Sequence, residues 1–293
     1  RPRSSRRTPS VSSGEMTTDT VTTIGRTRVQ HGKVSDRVYV MHLAPADLPG
    51  ILDGLDALAE AEGYSKIFAK VPASALSLFL ARGYAVEARV PGFFRGREDG
   101  CFVAKFLDPE RRRERGDPDA VLATTRNTGR RPPSALQPGW TCTLAAEDDA
   151  DDLAALYGGV FATYPFPIDD PGYLRETMAG DYRYFVVRTD DGTIAAASSA
   201  EVYPEDGNVE MTDFAVHPDF RGRNLSLLLL ARMEEEMRAA GLKTAFTIAR
   251  ALSYPINATF ARAGYAWAGT LVNNTNICGG FESMNVWYHS LGR

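Results

Sequence analysis

The most informative segment of the chain is TDFAVHPDFRGRNLSLLLLARMEEEM, residues 212–237. Its first residues complete a β-rich run over 209–216, and Pro218 ends that run because proline cannot donate to a sheet ladder. The leucine and methionine residues of 225–240 suit a buried helix, and a glycine follows directly where that helix should end. The stretch therefore predicts a strand, a tight turn at 221–226 and a helix.

The residues on both sides of this stretch complete the pattern of an α/β domain. Leu153, Leu156 and Val160 recur at helical spacing in an acidic segment, which predicts a helix over 147–161. A proline-rich loop, YPFPIDDP, follows that helix. Further strands are predicted at 184–188, 193–202, 243–250, 265–272 and 282–288, with another helix around 257–263. The predicted order is α, β, β, β, α, β, α, β, β.

The composition excludes several classes of protein. The 293 residues carry a formal net charge of −4, and no apolar run approaches the roughly 20 residues that span a bilayer. Cys101, Cys142 and Cys278 lie far apart and form no CxxC pair or Cys/His cluster, which argues against a disulfide framework or a metal site. We therefore expect a cytoplasmic protein with no nucleic-acid partner, no membrane partner and no bound metal.

Composition also divides the chain into segments. Residues 1–35 are rich in Arg, Ser and Thr without the apolar segment of a secretory signal, and we predict a disordered leader there. Residues 36–107 are predicted to form a smaller N-terminal α/β domain. The Pro-, Gly- and Arg-rich segment 108–139 lacks apolar periodicity and is predicted to be a linker, whose arginines are more simply solvated than bound to RNA or an acidic surface. Residues 140–293 contain the domain described above.

The predicted order of elements, together with residues 212–237, resembles the GNAT acetyltransferase superfamily across about 150 residues. The resemblance implies a mixed, mostly antiparallel sheet flanked by helices, and acetyl transfer from acetyl-CoA as co-substrate. The N-terminal domain carries a shorter echo, since FLARGYAVEA at 79–88 is similar to FARAGYAWAG at 260–269, although chance explains ten residues equally well. We predict a degenerate half-GNAT that binds no coenzyme and packs against the catalytic domain or against a second copy in a homodimer.

The coenzyme site is predicted at the turn before the long helix. A strand that feeds a helix N-terminus offers backbone N–H groups and a positive dipole end, which suit a pyrophosphate. The family's R/Q-x-x-G-x-G/A turn aligns with Arg221, Asn224 and Ser226, where Asn224 replaces a glycine but tolerates left-handed backbone angles. The predicted coenzyme contacts are Phe214, Ala215, Val216, Arg221, Gly222, Arg223, Asn224, Leu225, Ser226, Asn257 and Phe260.

Phe260 departs from the family pattern at a position that matters for the chemistry. The matching position often holds a tyrosine that protonates the leaving thiolate, and phenylalanine carries no such proton. Another group or solvent must then supply the proton. A packed helix with Phe260 in the core accounts for this segment just as simply.

Two carboxylates on the strand before the turn are candidates for the base that removes the amine proton. An alkylammonium with a pKa near 10.4 is almost entirely protonated at neutral pH, so the reaction needs a base or a proton-conducting water path. Glu210 lies where histone-type GNATs place theirs, and Asp213 is the second candidate. Strand alternation puts the two on opposite faces unless a bulge intervenes, and a salt-bridged strand end explains either carboxylate without catalysis. We favour Glu210.

The acyl acceptor is suggested by a resemblance at closer range. TYPFPI, MTDFAVHPDFRG, FTIARA and GTLVNNTNICGGFESMNVWY, with the N-terminal domain, resemble the β-lysine N6-acetyltransferase family. That resemblance implies β-lysine as the substrate and N6-acetyl-β-lysine, an osmoprotective compatible solute, as the product. The residues predicted to bind this zwitterionic diamine are Tyr164, Phe166, Asn273, Asn274 and Glu282. Hairpin turn preferences explain Asn273 and Asn274 equally well.

Two other functions remain open at the level of sequence. A noncatalytic GNAT-like module that senses coenzyme A or a metabolite is favoured by Asn224 and Phe260, whereas Glu210 favours catalysis. An acetyltransferase acting on a protein lysine or an aminoglycoside is the other alternative. A protein tail requires an open groove and a lone amino acid requires a small closed pocket, so the shape of the cleft discriminates between acceptors.

Overall fold

The computed structural model describes residues 19–277 and 279–292. Residues 1–18 of the predicted leader and Cys278 lie outside the described residues. The helices in the described part are α1 (Ile51–Glu62), α2 (Leu76–Leu80), α3 (Pro118–Arg126), α4 (Ala150–Val160), α5 (Pro171–Ala179), α6 (Leu225–Ala239) and α7 (Tyr254–Ala263). None of them has the length and apolar content needed to cross a membrane.

The strands belong to one continuous sheet. They are β1 (Thr20–Ile24), β2 (Thr27–Gly32), β3 (Arg37–His42), β4 (Lys66–Pro72), β5 (Ala85–Phe94), β6 (Glu98–Phe106), β7 (Thr141–Leu144), β8 (Tyr182–Arg188), β9 (Ile194–Tyr203), β10 (Asn208–Val216), β11 (Thr244–Arg250), β12 (Ala266–Ile277) and β13 (Gly280–Ser290). Their spatial order is β1-β2-β3-β4-β6-β5-β12-β13-β11-β10-β9-β8-β7. Neighbours are antiparallel except for two parallel pairs, β3 with β4 and β10 with β11. The predicted mixed, mostly antiparallel sheet with flanking helices is confirmed.

The sheet consists of two similar halves that meet where β5 pairs with β12, with Gly269 opposite Ala88. Outward from this seam the C-terminal half runs β12-β13-β11-β10-β9-β8-β7, and the N-terminal half runs β5-β6-β4-β3-β2-β1. In each half a helix, α6 or α1, connects the two parallel strands, and a shorter helix, α7 or α2, follows the second of them. The N-terminal half therefore repeats the GNAT strand order without its first strand, as the short sequence echo predicts, and it packs edge to edge against the catalytic half.

The predicted leader is wrong for residues 20–32, which form β1 and β2. The two strands pair from Thr20 opposite His31 to Ile24 opposite Thr27, and Gly25, at φ 62°, supplies the left-handed turn between them. Val29 is completely buried in the core beneath α1, and Ile24 packs against the same core. A polar, arginine-containing hairpin is thus ordered by a few apolar side chains on one face, which composition averages hide.

The predicted linker is also more ordered than its composition indicates. Asp117 caps α3 by accepting a hydrogen bond from the Ala120 N–H at 3.0 Å, and Leu122 and Thr125 of that helix are buried. Arg111 is buried as well, donating to the carbonyls of Ser35 at 2.7 Å and Asn273 at 2.8 Å. Long-range packing orders this segment, and the expectation that its arginines are solvated does not hold for Arg111.

The C-terminal half contains the strands and helices predicted for it, plus two that were not predicted. β7 adds a short edge strand beside β8, and α5 follows the proline-rich loop. The α5 signal was present in the sequence, because Asp170 caps the Gly172 N–H at 2.8 Å and Pro171 occupies the first turn. The antiparallel pair β8 and β9 and the start of α6 at Leu225 agree with the strands predicted at 184–188 and 193–202 and with the helix predicted from 225.

Candidate active site

β10 and β11 separate after a short stretch of pairing. They are parallel neighbours that pair only between residues 208–210 and residues 244–246. β10 continues to Val216 and β11 to Arg250, so both strands go on after the ladder between them has ended. Because buried backbone N–H and C=O groups need hydrogen-bond partners, the gap between these strands is suited to an extended ligand that bonds to the backbone.

An open groove of about 590 Å³ lies where β10 and β11 end, bounded by the N-terminus of α6 and by α7. Gly222 (φ 79°) and Asn224 (φ 58°) take left-handed backbone angles in the turn, and α6 begins at Leu225. Asn224 thus adopts the left-handed conformation that the glycine at the matching position of the family would adopt. The first N–H groups of a helix have no partner within it and lie at its positive dipole end, so this groove is suited to an anion such as a pyrophosphate.

Most residues predicted to contact the coenzyme line this groove: Phe214, Val216, Arg221, Gly222, Arg223, Asn224, Leu225 and Ser226. Arg223 has its guanidinium 5.6 Å from the Trp140 ring and 5.9 Å from the Phe220 ring, which holds a positive charge beside the groove. Tyr254 and Arg262 of α7 also line it and were not selected from the sequence.

Ala215, Asn257 and Phe260, which were also predicted to contact the coenzyme, are buried and do not line the groove. The Asn257 amide donates to the carbonyls of Arg250 and Ser253, both at 2.8 Å, and accepts from Asn285 and Trp287, both at 2.9 Å. Its hydrogen-bonding capacity is used in joining α7 to the sheet.

Phe260 is completely buried and packs edge-on against Phe214 and Tyr265. Phe260 therefore occupies the core, which was the alternative interpretation of this segment in the sequence. The ring therefore supports the groove wall from behind and takes no part in proton transfer.

A cavity of about 90 Å³ lies against β10 and β11. Residues of both the N-terminal and the C-terminal half line it. From the N-terminal half it receives Arg37, Tyr39, Met41 and Phe68; from the C-terminal half it receives Tyr164, Phe166, Glu201, Glu210, Asp213, Ile248 and Asn274 among others. The cavity thus contains three carboxylates and one guanidinium. Such a set is suited to a small ligand with more positive than negative charge.

Glu210 and Asp213 both line this cavity, which corrects the expectation that they lie on opposite faces. The pairing of β10 with β9 shifts register between Thr212 and Ala215, and Asp213 takes a left-handed φ of 55°. A bulge inserts one extra residue into a strand and reverses the alternation of side chains beyond it. The bulge therefore brings both candidate bases to one site.

Burial raises the pKa of Glu210 above its usual range. The nearby Lys70 ammonium opposes this shift, whereas the carboxylates of Glu201 and Asp213 add to it, and the Ile248 N–H opposes it by donating to the Glu210 carboxylate. Glu201 lies directly opposite Glu210 in the β9–β10 ladder, where like charges repel. A buried carboxylate with a raised pKa in a cavity has the properties of a general base.

Asp213 differs from Glu210 in that its oxygens already have several partners. Tyr164 and Ser199 donate short hydrogen bonds to its two oxygens, and Thr212 donates at 3.3 Å. Burial raises the pKa of Asp213, and these three hydrogen bonds oppose that shift. Asp213 is therefore arranged to hold the loop residue Tyr164 in place, while Glu210 keeps oxygen lone pairs for a ligand.

Of the residues predicted to bind the acceptor, Tyr164, Phe166 and Asn274 line the cavity, and Asn273 and Glu282 do not. The Asn273 amide donates to the carbonyls of Arg111 at 2.9 Å and Arg113 at 2.7 Å, which fastens the hairpin to the segment between the halves. Glu282 forms a two-point ion pair with Arg250 at 2.9 and 2.6 Å. Long-range partners within the protein thus already bind the side chains of these two residues.

The sequence argument missed Arg37, Tyr39, Lys70 and Glu201. Arg37 and Tyr39 alternate along β3, RVYVMH, and so share one face of that strand. The Lys70 Nζ lies 3.3 Å from the Tyr203 hydroxyl, close to the cavity wall. A signal was available, since charged residues inside apolar alternating strands usually have a buried partner or a ligand.

Residues 150–265 match the model of the acetyltransferase (GNAT) family. The chain is 39% identical over 262 residues to the Beta-lysine N(6)-acetyltransferase of Methanococcus maripaludis, a match that covers 89% of this chain and 94% of that relative. It is 32% identical over 265 residues to the N-acetyltransferase YodP of Bacillus subtilis, covering 90% of this chain and 95% of YodP. A Beta-lysine N(6)-acetyltransferase of Methanosarcina mazei is 38% identical over 162 residues, which are 55% of this chain and 59% of that protein.

Proposed function

This chain belongs to the GNAT family of acetyltransferases and is an N-acetyltransferase, and we propose that it transfers the acetyl group of acetyl-CoA to the N6 amine of β-lysine. The Methanococcus relative supports this acceptor, because its similarity extends through the N-terminal half as well as the GNAT half. Both halves line the cavity, so the matched region includes both segments that would supply contacts to the acceptor.

The observation that carries the proposal is the position of Glu210. Its carboxylate lies in the cavity and accepts from the Ile248 N–H, in the region where β10 and β11 separate toward the coenzyme groove. An amine held in the cavity therefore has a base on one side and the gap that leads to the coenzyme on the other. General base catalysis requires this kind of proximity before any tuning of pKa.

For the coenzyme, we propose that the backbone N–H groups of residues 223–226 bind the pyrophosphate and that the gap between β10 and β11 receives the pantetheine arm. Acetyl-CoA supplies the acetyl group as a thioester. The open shape of the groove at the start of α6 and the left-handed angles of Gly222 and Asn224 support this seat.

In the proposed reaction Glu210 accepts a proton from the ammonium, directly or through water. The amine nitrogen then forms a bond to the thioester carbonyl carbon, the nitrogen releases its second proton to solvent, and the bond from that carbon to sulfur breaks. A thiol has a pKa of about 8.5, so the sulfur leaves near neutral pH without a strong acid, and solvent in the open groove supplies its proton. This route fits a site in which Phe260 stands in place of the usual tyrosine.

The size of the cavity supports a small acceptor over a protein tail or an aminoglycoside. About 90 Å³ of space is bounded by side chains from both halves, whereas a peptide substrate needs an open groove. The excess of carboxylates over cations matches β-lysine, which carries two ammonium groups and one carboxylate at neutral pH.

The proposal is tested by incubating the purified protein with acetyl-CoA and a panel of amines, with the products analysed by mass spectrometry. The panel contains β-lysine, α-lysine, spermidine, an aminoglycoside and a lysine-containing peptide. We expect N6-acetyl-β-lysine as the main product. A tenfold preference for the peptide, about 1.4 kcal/mol, would reject a small-molecule acceptor, and binding of coenzyme A without any product would favour a sensor.

The physiological part of the proposal is that the product accumulates in the cytoplasm as a compatible solute. The resemblance to β-lysine acetyltransferases supports it, because N6 acetylation removes one positive charge and leaves a net neutral zwitterion. Quantifying N6-acetyl-β-lysine in cells grown with and without added salt tests this part separately.

A further inference from the structure

Arg37 is a buried cation in the acceptor cavity. It is 4% exposed, and its Nη1 donates to the Asn274 carbonyl and to the Thr275 hydroxyl, the latter at 3.2 Å. Its Nε has no hydrogen-bond partner, and no carboxylate within the described residues forms an ion pair with it. Asp19 and Glu210 act on it only through longer-range attraction. The guanidinium therefore has spare donor capacity in a place that water reaches poorly.

An unpaired charge in a protein interior is costly, and guanidinium remains protonated under all ordinary conditions. Arg111 shows the contrast on the other side of the same hairpin. It is equally buried, but it donates to three protein oxygens and forms an ion pair with Asp36 at 3.4 Å. Arg111 thus uses its donors within the fold, whereas the Nε of Arg37 is a buried donor that no described protein atom accepts from.

Asn274 presents the complementary deficiency in the same cavity. Its side-chain oxygen is buried without a hydrogen-bond partner, and its own backbone carbonyl accepts from Arg37. A donor without an acceptor and an acceptor without a donor are therefore adjacent. A zwitterionic group, a carboxylate with a neighbouring ammonium, satisfies both at once. The Glu201–Glu210 pair also lines the cavity and is available for the reacting amine.

We propose that Arg37 binds the carboxylate of the acceptor while the Asn274 side-chain oxygen accepts from the ammonium beside that carboxylate. The inference rests on the proposed function and deepens it, because it assigns acceptor specificity to the N-terminal half of the sheet. That half then selects amino acids over simple diamines. The planar fork of guanidinium matches a carboxylate in two-point geometry, which an isolated ammonium does not.

The test compares two acceptors on the same preparation of enzyme: β-lysine and 1,4-diaminopentane, which is β-lysine with hydrogen in place of the carboxyl group. We expect the wild type to prefer β-lysine by at least tenfold in kcat/KM. In Arg37→Met this preference should fall by about tenfold to a hundredfold, mainly through KM for β-lysine, since a charge-assisted hydrogen bond is lost. The ratio of the two rates does not depend on the active fraction of the preparation.

Arg111→Met is the matched control, because it removes a buried arginine of similar exposure that does not line the cavity. It should lower stability and leave the preference for β-lysine at the wild-type value. If Arg37→Met does not fold, Arg37→Lys takes its place, and the preference should then fall severalfold because the fork is lost but the charge is kept.

Three results would overturn the inference in distinguishable ways. An unchanged preference in Arg37→Met or in Arg37→Lys would show that Arg37 is structural. A wild type that acetylates the diamine as well as β-lysine would reject carboxylate recognition but leave the acetyltransferase intact. A wild type that acetylates neither compound would reject the proposed function itself, and the inference with it.

Discussion

The two halves of the sheet have the same strand order but differ at the junction between the first parallel strand and its helix. In the C-terminal half Gly222 and Asn224 turn the chain so that the N-terminus of α6 faces an open groove. In the N-terminal half Asp47 lies in the corresponding junction, and its carboxylate accepts from the Arg26 N–H and the Thr27 hydroxyl, both at 2.8 Å. An acidic side chain thus occupies the region where a phosphate would need to approach.

The corresponding strands of the two halves, β10 and β3, also present different side chains to the cavity. β10 presents Glu210 and, after its bulge, Asp213 to the cavity, whereas β3, which also shifts register against its antiparallel neighbour β2, presents Arg37 and Tyr39. One copy of the fold has a helix N-terminus open for the coenzyme, and the other contributes a strand face to the acceptor cavity. A repeat without a coenzyme turn can therefore still contribute to the active site of its neighbour.

The largest effect is expected from Glu210→Gln, which removes the base from the C-terminal half and keeps the shape. The kcat/KM at pH 7 should fall by about 10² to 10⁴, because general base catalysis contributes that much, while coenzyme affinity stays near the wild-type value. The deficit should narrow as pH approaches about 10, where solvent deprotonates the amine. Steady-state kinetics against pH provide the measurement, and a loss below threefold at pH 7 would transfer the role to Asp213 or to water.

The next effect concerns the two helix junctions. Asn224→Pro should abolish the thermal stabilisation that coenzyme A gives, because proline requires a negative φ where Asn224 has 58°. For the wild type that stabilisation is about 2.7 kcal/mol at a coenzyme concentration of 100 Kd. Gly50→Ala, at the start of α1 in the N-terminal half, is the matched control and should retain it in full. Equal stabilisation of Asn224→Pro and wild type would place the pyrophosphate elsewhere.

A smaller effect is expected at the seam between the halves. A Cβ on Gly269 would lie 2.1 Å from the Glu87 carbonyl oxygen and 2.6 Å from the Ala88 Cα, both of which are backbone atoms. Gly269→Ala should therefore lower the free energy of unfolding by about 1 to 3 kcal/mol, measured by chemical denaturation. Gly280→Ala is the control, because nothing lies within 4 Å of its Cβ position. Similar losses for both variants would contradict a tightly packed seam.

Local patterns were sufficient to predict the strand, turn and helix at residues 212–237 and, apart from β7 and α5, the order of elements along the C-terminal half. The coenzyme turn could be predicted from local chemistry, because it requires a left-handed backbone angle at position 224 and asparagine tolerates that angle. The ion pair of Glu282 could not be predicted, because its partner, Arg250, lies on another strand and pattern analysis within one strand does not reveal such pairs.

The bulge at Asp213 and the role of Arg37 share a different reason for being missed. The alternation rule assumes an unbroken ladder, and no residue type near Asp213 demands the register shift that the structure contains. Arg37 reaches the cavity only because the N-terminal half packs against the catalytic half, so its position depends on contacts more than 200 residues apart in sequence, such as that with Thr275, separated by 238. Both are consequences of tertiary packing, which overrides local pattern.

The smallest effect concerns the loss of folding stability caused by burying the Glu210 carboxylate. Glu210 lies on the face of β10, and β3 presents no such carboxylate to the cavity. Burial raises the pKa of Glu210 in the folded protein above its value in the unfolded chain. Between these two values the folded state binds a proton that the unfolded state has released, so the free energy of unfolding falls as pH rises through the window. Glutamine titrates in neither state and still offers an oxygen to the Ile248 N–H.

Glu210→Gln should therefore melt a few degrees above the wild type at pH 8 and by less at pH 5, with calorimetry across that range as the measurement. Glu235→Gln is the control, because it removes the same charge from an exposed position on α6, where the Glu235 side chain is 74% exposed. Its melting temperature should follow the wild type at every pH. Parallel curves for Glu210→Gln and wild type would mean that burial leaves the Glu210 carboxylate as acidic as in the unfolded chain, and the enzyme would then bear no stability cost for its base.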